Sequence, residues 1–346
     1  MGGGDDSTFD PKQGLRILDF SNPNKVELAK TLRKACIDDG FLYLTNHGID
    51  EKLLDDALVD IKRFFDLPME EKMKCLHDKN HRGYTLFAEE ILDLVNQKEG
   101  DTKEGYYVGW DVPEDHPMAS KPLHGPNQWP SEEVLPGWRS AMEKYYFEFL
   151  KLGHRVASLI ALALELRPDF FEKMFTTPMA AMRPLHYEAI HSKPEEGIFG
   201  SGAHSDYGLL TILLTDETGG LQICKDKFAK PQVWEDVPPI KGALIVNLGD
   251  MLERWTNGLF RSTLHRVLTK GVDRYSMAYF YDPNFDTMVE CLPTCCSASN
   301  PARYAPMTSG EHLLKMYHKT DKSFDVTAKP HGFDDLPTSN SQKNEL

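Results

Sequence analysis

The chain has 346 residues, 40% of them hydrophobic and 27% charged, and a formal net charge of −14. That length buries a sizeable core, as one large domain or two small ones. The negative excess repels phosphate backbones and anionic lipid, which argues against nucleic-acid or membrane partners and for a well-solvated surface.

Six cysteines are present, Cys36, Cys75, Cys224, Cys291, Cys295 and Cys296, without a Cys-x-x-Cys pair. Adjacent Cys295 and Cys296 bridge each other only at a strained geometry. No apolar run resembles a signal peptide or a membrane span. The expectation is a cytoplasmic, monomeric protein with reduced thiols.

In chain order, residues 1–14 are rich in Gly and Asp and are expected to be disordered. Leu15–Phe20 reads as a short strand. A helix follows from about Lys25, with Val26, Ala29, Leu32 and Ala35 at helical spacing and Gly40 as its stop. Phe41–Leu44 is a strand, and a second amphipathic helix starts after Asp50 with Leu54, Leu58, Ile61 and Phe65 on one face. A long third helix runs from near Trp138 through the apolar stretch Ser158–Leu166. These stripes are packing faces.

After Pro178 the pattern changes to short β-type runs: Met182–Tyr187, His204–Leu214, Leu221–Cys224, Val233–Val237, Ala243–Asn247, Phe260–Leu268 and Arg274–Tyr281. Many short strands at close spacing predict a sandwich or barrel. A last helix is expected from Gly310 to about His318, then a polar tail over 326–346. The predicted fold is mixed α and β, a double-stranded β-helix (jelly roll) surrounded by helices. Its parts are an N-terminal helix-and-strand region over 15–177, the jelly-roll core over 178–285 and a C-terminal segment over 286–325.

The chemistry concentrates in that core. In a strand, residues i and i+2 share a face, so His204 and Asp206 are expected to project together. The best third partner is His265, 59 positions beyond Asp206 in the run Ser262–Leu268. Two imidazoles and one carboxylate hold one face of iron(II) and leave the other open, the ligand set of non-haem iron oxygenases. Zinc also accepts such a set, but no His-Glu-x-x-His helix is present to supply a general base. Arg274 and Ser276 share a strand face just downstream. An arginine aimed into a barrel needs an anion, and its planar fork suits a carboxylate; Tyr187 offers a phenolic hydrogen bond.

With these residues the chain resembles the plant 2-oxoglutarate- and iron(II)-dependent dioxygenases of the isopenicillin N synthase-like superfamily, from about Leu15 to His318. The likeness runs through Asp38–Ile49, Phe64–Lys72, Arg82-Gly83-Tyr84, Gly220-Leu221-Gln222, Asn247–Asp250, Asn257-Gly258 and Ser262–Val267. It implies iron(II) ligation by His204, Asp206 and His265, and a grip on the 2-oxoglutarate C5 carboxylate by Arg274 and Ser276, with Tyr187 as a further contact. Leu185 departs from the Asn often found two positions before that tyrosine. The resemblance also implies O2 as co-substrate, ascorbate as activator, and succinate and carbon dioxide as co-products. The expected reaction is hydroxylation, desaturation or demethylation of a small specialised metabolite or hormone. By analogy the substrate would meet Arg82, Tyr84, Phe87, Glu104, Tyr106, Tyr107, Phe280 and Tyr281. For each aromatic the competing role is ordinary core. Glu104 either pairs with a cationic nitrogen or is a solvated charge in a loop. A same-fold iron oxidase that does not use 2-oxoglutarate, and a non-catalytic small-molecule binder, remain open alternatives at this stage.

Overall fold

The computed structural model describes residues 14–320. The expectations of a disordered start and a loose tail lie outside them, apart from Gly14.

The N-terminal half begins with β1 (Ile17–Asp19), α1 (Lys25–Asp38), β2 (Phe41–Thr45) and α2 (Glu51–Phe65), as the periodicity predicts. Both helices start where a side chain accepts an otherwise orphaned backbone N–H: Asn24 from Glu27, and Asp50 from Lys52. Gly40 takes φ +66° between α1 and β2, and a Cβ there would lie 2.5 Å from the Arg261 carbonyl oxygen. Next come α3 (Met69–Met73), β3 (Gly83–Thr85), β4 (Lys103–Gly109) and the long α4 (Trp138–Ala163). The sequence reading has no strand at β3 or β4. Lys103, Glu104 and two glycines break the apolar alternation of β4, yet all seven of its residues are buried.

The second half holds β5 (Ala181–Tyr187), β6 (Ser201–His204), β7 (Leu210–Thr215), β8 (Leu221–Cys224), β9 (Glu235–Asp236), β10 (Leu244–Leu248), α5 (Asp250–Trp255), β11 (Leu264–Val267) and β12 (Arg274–Tyr281). A hairpin of β13 (Met288–Val289) and β14 (Met307–Thr308) leads into α6 (Ser309–Thr320). One correction concerns the metal strand. His204–Leu214 is not continuous: β6 ends at His204, and β7 starts at Leu210 in the other sheet. Asp206 therefore sits in the crossing between sheets. Gly208 permits that crossing, since a Cβ there would collide with the Asp282 carboxylate, which itself accepts the Leu209 N–H.

The sheets have eight strands in the order β1-β2-β10-β7-β12-β5-β4-β3 and four in the order β6-β11-β8-β9. Between them lies a small core of Phe41, Leu185, Tyr187, Leu221, Ile223, Ile245 and Val267. The outer face of the large sheet packs on the helices through a much larger core, centred on Phe64, Tyr106, Trp138, Phe149, Met277 and Tyr279. The expected double-sheet core wrapped by helices is thus the architecture seen, and it places a cavity between the sheets.

Candidate active site

β6 and β11 pair antiparallel with His204 opposite His265, so two residues distant in sequence become neighbours by register. Their ring centroids are 4.3 Å apart. Asp206 Oδ1 lies 3.7 Å from His204 Nε2 and 3.5 Å from His265 Nε2. One donor atom from each of the three residues falls within 4.8 Å of the others. Donors at right angles on one ion of this kind sit about 3 Å apart, so the set suits a metal with little adjustment.

The far side of each ligand is already occupied. His204 Nδ1–H donates to the Gly202 carbonyl at 2.8 Å and His265 Nδ1–H to the Thr263 carbonyl at 3.1 Å. These bonds fix the tautomer that turns both Nε2 lone pairs to the centre. Burial, then the neighbouring His265, lowers the His204 pKa to about 3, which keeps that ring neutral. Asp206 Oδ2 accepts from Thr211 Oγ1 and, at 2.7 Å, from Asn247 Nδ2, leaving Oδ1 for the metal. Burial raises the Asp206 pKa, but His265 and the hydrogen bonds outweigh it and hold the carboxyl ionised. Thr211 and Asn247 face each other across β7 and β10. Sequence reasoning passed over both, although Asn247 lies in a segment that carries the family likeness.

Strand alternation builds the cavity wall. From β12 come Arg274, Ser276, Ala278 and Phe280; from β5 come Arg183, Leu185 and Tyr187. Arg274 is 2% exposed. It donates to the Gly219 carbonyl at 2.8 Å, Thr215 Oγ1 at 2.9 Å and Ser276 Oγ at 3.2 Å, and stacks 4.7 Å from the Tyr187 ring centre. No described carboxylate neutralises it, so this buried cation is suited to receive an anionic ligand. The wall also carries Lys103 and Arg183. Glu90 ties these two together, 3.0 Å from Arg183 and 3.1 Å from Lys103, and Asp101 holds Lys103 from the other side. Arg183 was readable from Tyr187 by period two; Lys103 gave no signal.

The remaining candidates are not on this wall. Tyr281 follows Phe280 and so faces the helices, where it stacks on Phe175 at 4.5 Å and shares a hydrogen bond with His154 Nδ1. On β4, Glu104 and Tyr106 also point to the helix side. Tyr106 packs on Phe64 and Trp138. Glu104 is not a solvated loop charge: it is buried in β4, where Lys72, Tyr84 and His186 satisfy it. Arg82 donates through Nη1 and Nη2 to the carbonyls of Asn80, His81 and Leu123. Tyr107 lies beside Arg183, whose guanidinium is 4.4 Å from its ring centre. Phe87 is half-buried and outside the wall.

Residues 15–132 match the family described as non-haem dioxygenase in morphine synthesis N-terminal, and residues 180–283 match the 2OG-Fe(II) oxygenase superfamily. The chain is 43% identical over 312 residues to azadirone synthase LFS of Melia azedarach and 40% identical to kihadalactone A synthase LFS of Citrus sinensis, each match covering 89% of this chain and 93% of the relative. The chain belongs to the 2OG-Fe(II) oxygenase superfamily. Its fold is shared with a full-length Neurospora crassa protein solved in complex with alpha-KG, at TM-score 0.77 and 29% identity over 88% of this chain and 96% of that one. It is shared as well with JOX2, solved with 2OG, Fe and JA, at TM-score 0.72 and 28% identity, covering 88% and 85%. This oxygenase is accordingly an oxidoreductase whose cofactors are iron(II) and 2-oxoglutarate. Among the described residues, no helix is long and apolar enough to cross a membrane.

Proposed function

We propose that His204, Asp206 and His265 hold the iron(II). Arg274, with Ser276 and Tyr187, receives the far carboxylate of 2-oxoglutarate. A small specialised metabolite or hormone is oxidised in front of them. The observation that carries this reading is the buried Arg274, without a carboxylate partner among the described residues, opening onto the same cavity as the His-Asp-His set. When bound, iron(II) would activate O2, the oxidant, with two electrons drawn from 2-oxoglutarate as it leaves as succinate and carbon dioxide and two from the substrate C–H bond.

The protein's share is placement. Asp206 stays ionised on its two outer donors while the imidazoles present Nε2. Arg274 orients the co-substrate by a fixed, planar donor fork. Leu185, Leu213, Leu221 and Val267 keep water off the floor of the cavity. Phe280, Lys103 and Arg183 stand where the substrate enters, an apolar ring beside two cationic heads, and are better placed for that contact than Arg82, Tyr84, Phe87, Glu104, Tyr106, Tyr107 and Tyr281. Two plant relatives are named as synthases of azadirone and kihadalactone A, which supports a specialised metabolite as substrate. The acidic surface supports a cytoplasmic monomer without nucleic-acid or membrane partners.

The test is a metabolite screen with 2-oxoglutarate, iron(II) and ascorbate, read by mass. A gain of one oxygen, a loss of two hydrogens or a loss of a methylene identifies hydroxylation, desaturation or demethylation. Succinate should form in step with product; product without succinate would instead show an oxidase that spares 2-oxoglutarate.

A further inference from the structure

Behind the wall that carries Arg274 and Tyr187, a histidine is held between two carboxylates. His186 Nδ1 is 2.8 Å from Glu104 Oε1, and its Nε2 is 3.0 Å from Asp273 Oδ1. A neutral imidazole has one N–H and one lone pair, so it satisfies one carboxylate and repels the other; only the imidazolium donates to both. We infer that His186 is a positioning residue of this oxygenase: as an imidazolium it ties β5 to the start of β12 and so sets the geometry in which Tyr187 and Arg274 receive 2-oxoglutarate. This rests on the assignment of the co-substrate to Arg274 made above.

The neighbours in sequence give the inference its content. His186 immediately precedes Tyr187, and Asp273 immediately precedes Arg274. The β5–β12 ladder pairs Arg274 with Tyr187 and Tyr275 with His186, so the two co-substrate residues lie on one face of that pairing and the clamp on the other. Tyr275 lies flat on the imidazole, centroids 4.8 Å apart and planes at 10°, and Phe65 of α2 packs on it at 5.6 Å.

The charges facing the ring favour its cationic form. Glu104 also accepts from Lys72 of α3 and from Tyr84 of β3. On the α2 side, Lys62 bonds to Asp66 and to the Tyr275 hydroxyl. Lys72, His186, Glu104 and Asp273 thus make a neutral four-membered cluster when the imidazole is charged. Burial lowers the His186 pKa, but the bonds to Glu104 and Asp273 outweigh it and the net shift is upward. When the proton leaves, the bond to half-exposed Asp273 is the one to open. Glu104 is buried and cannot turn to water, whereas Asp273 can. Loss of the clamp is therefore felt at the residue next to Arg274.

The experiment uses the full chain. Nitrogen NMR of the metal-free protein reports the ring protonation, and calorimetry on anaerobic iron(II)-loaded protein reports 2-oxoglutarate affinity between pH 6 and 9. His186 should carry both protons at pH 7. Affinity in the wild type should weaken as pH rises through the imidazole titration. His186→Phe keeps the stacking and Asp273→Asn leaves the exposed partner uncharged. Both should weaken 2-oxoglutarate on the order of tenfold at pH 7, flatten the pH profile, and leave iron affinity unchanged. A neutral ring at pH 7 overturns the inference. So does wild-type affinity and pH profile in both variants while Arg274→Leu binds 2-oxoglutarate weakly, which would sink the clamp alone. Unchanged affinity in Arg274→Leu would instead remove the co-substrate assignment, and this inference with it.

Discussion

Asp206 is the candidate ligand whose outer oxygen is most closely controlled. Asn247 and Thr211 approach Oδ2 from adjacent strands, and Oδ1 is left facing His204 and His265. Partners of this kind hold a ligand's orientation and basicity. Asn247→Leu removes one donor and leaves the fold's apolar packing in place. We expect iron(II) affinity to fall about tenfold to a hundredfold, read as metal retained after anaerobic reconstitution and dialysis. The far-ultraviolet spectrum should be unchanged. His204→Ala, which removes a ligand outright, should retain no iron; an Asn247→Leu variant as tightly loaded as wild type would show that Thr211 alone suffices. The grouping of these three side chains was legible in the sequence because their chemistry is rare in combination. The outer donors were not, because Asn and Thr on β-strands carry no spacing signature.

At the scale of elements, the site depends on α4 lying close to β12. Gly153 makes that approach possible, because a Cβ there would collide with the Tyr281 ring. The ring has nowhere to go, stacked on Phe175 with planes 4° apart and bonded through its hydroxyl to His154. Gly153→Ala therefore sets two effects against each other. Overpacking costs about 1–3 kcal/mol, and the better helix propensity of alanine returns about 1 kcal/mol. The net expectation is a loss of about 1 kcal/mol, seen as a lower urea midpoint at unchanged m-value; an equal or higher midpoint would show that the helix shifts freely. The same element logic explains why several candidates lie off the cavity wall. Phe280 and Tyr281 are adjacent on β12 and cannot share a face. Glu104 is a strand residue, and its charge is answered within the fold by Lys72 and His186.

At the scale of the whole molecule, several buried groups are held in the form with fewer protons. Burial lowers the His312 pKa to about 4, against its bond to the Tyr207 carbonyl. Glu90 and Glu104 are pushed up by burial, but Arg183 with Lys103, and His186 with Lys72 and Tyr84, outweigh that and hold them down. Each binds fewer protons folded than unfolded, so its contribution is present above the unfolded pKa and is lost as pH falls toward the folded one. For His312 that window runs from 6.5 to about 4; for the two glutamates it lies below 4.5. The urea midpoint of metal-free protein should thus decline in two stages, with His312 contributing roughly 3 kcal/mol to the first. His312→Gln removes one titrating ring and should shrink the first stage, leaving the share of His204, whose pKa burial also lowers. An unaltered decline would mean that His312 is open to water.

Local patterns in the chain determined the helices α1, α2 and α4, most of the jelly-roll strands, the metal-ligand types and Arg274, because apolar periodicity and scarce polar chemistry are properties of short stretches. Convergence was decided in three dimensions. Register across β6 and β11 brings His204 to His265, and the crossing after His204 delivers Asp206. Strand β4, with its charges and glycines, takes its place only through pairing with β3 and β5. The physical reason is common to all three: which face a side chain presents, and which charge answers it, depends on neighbours far away along the chain.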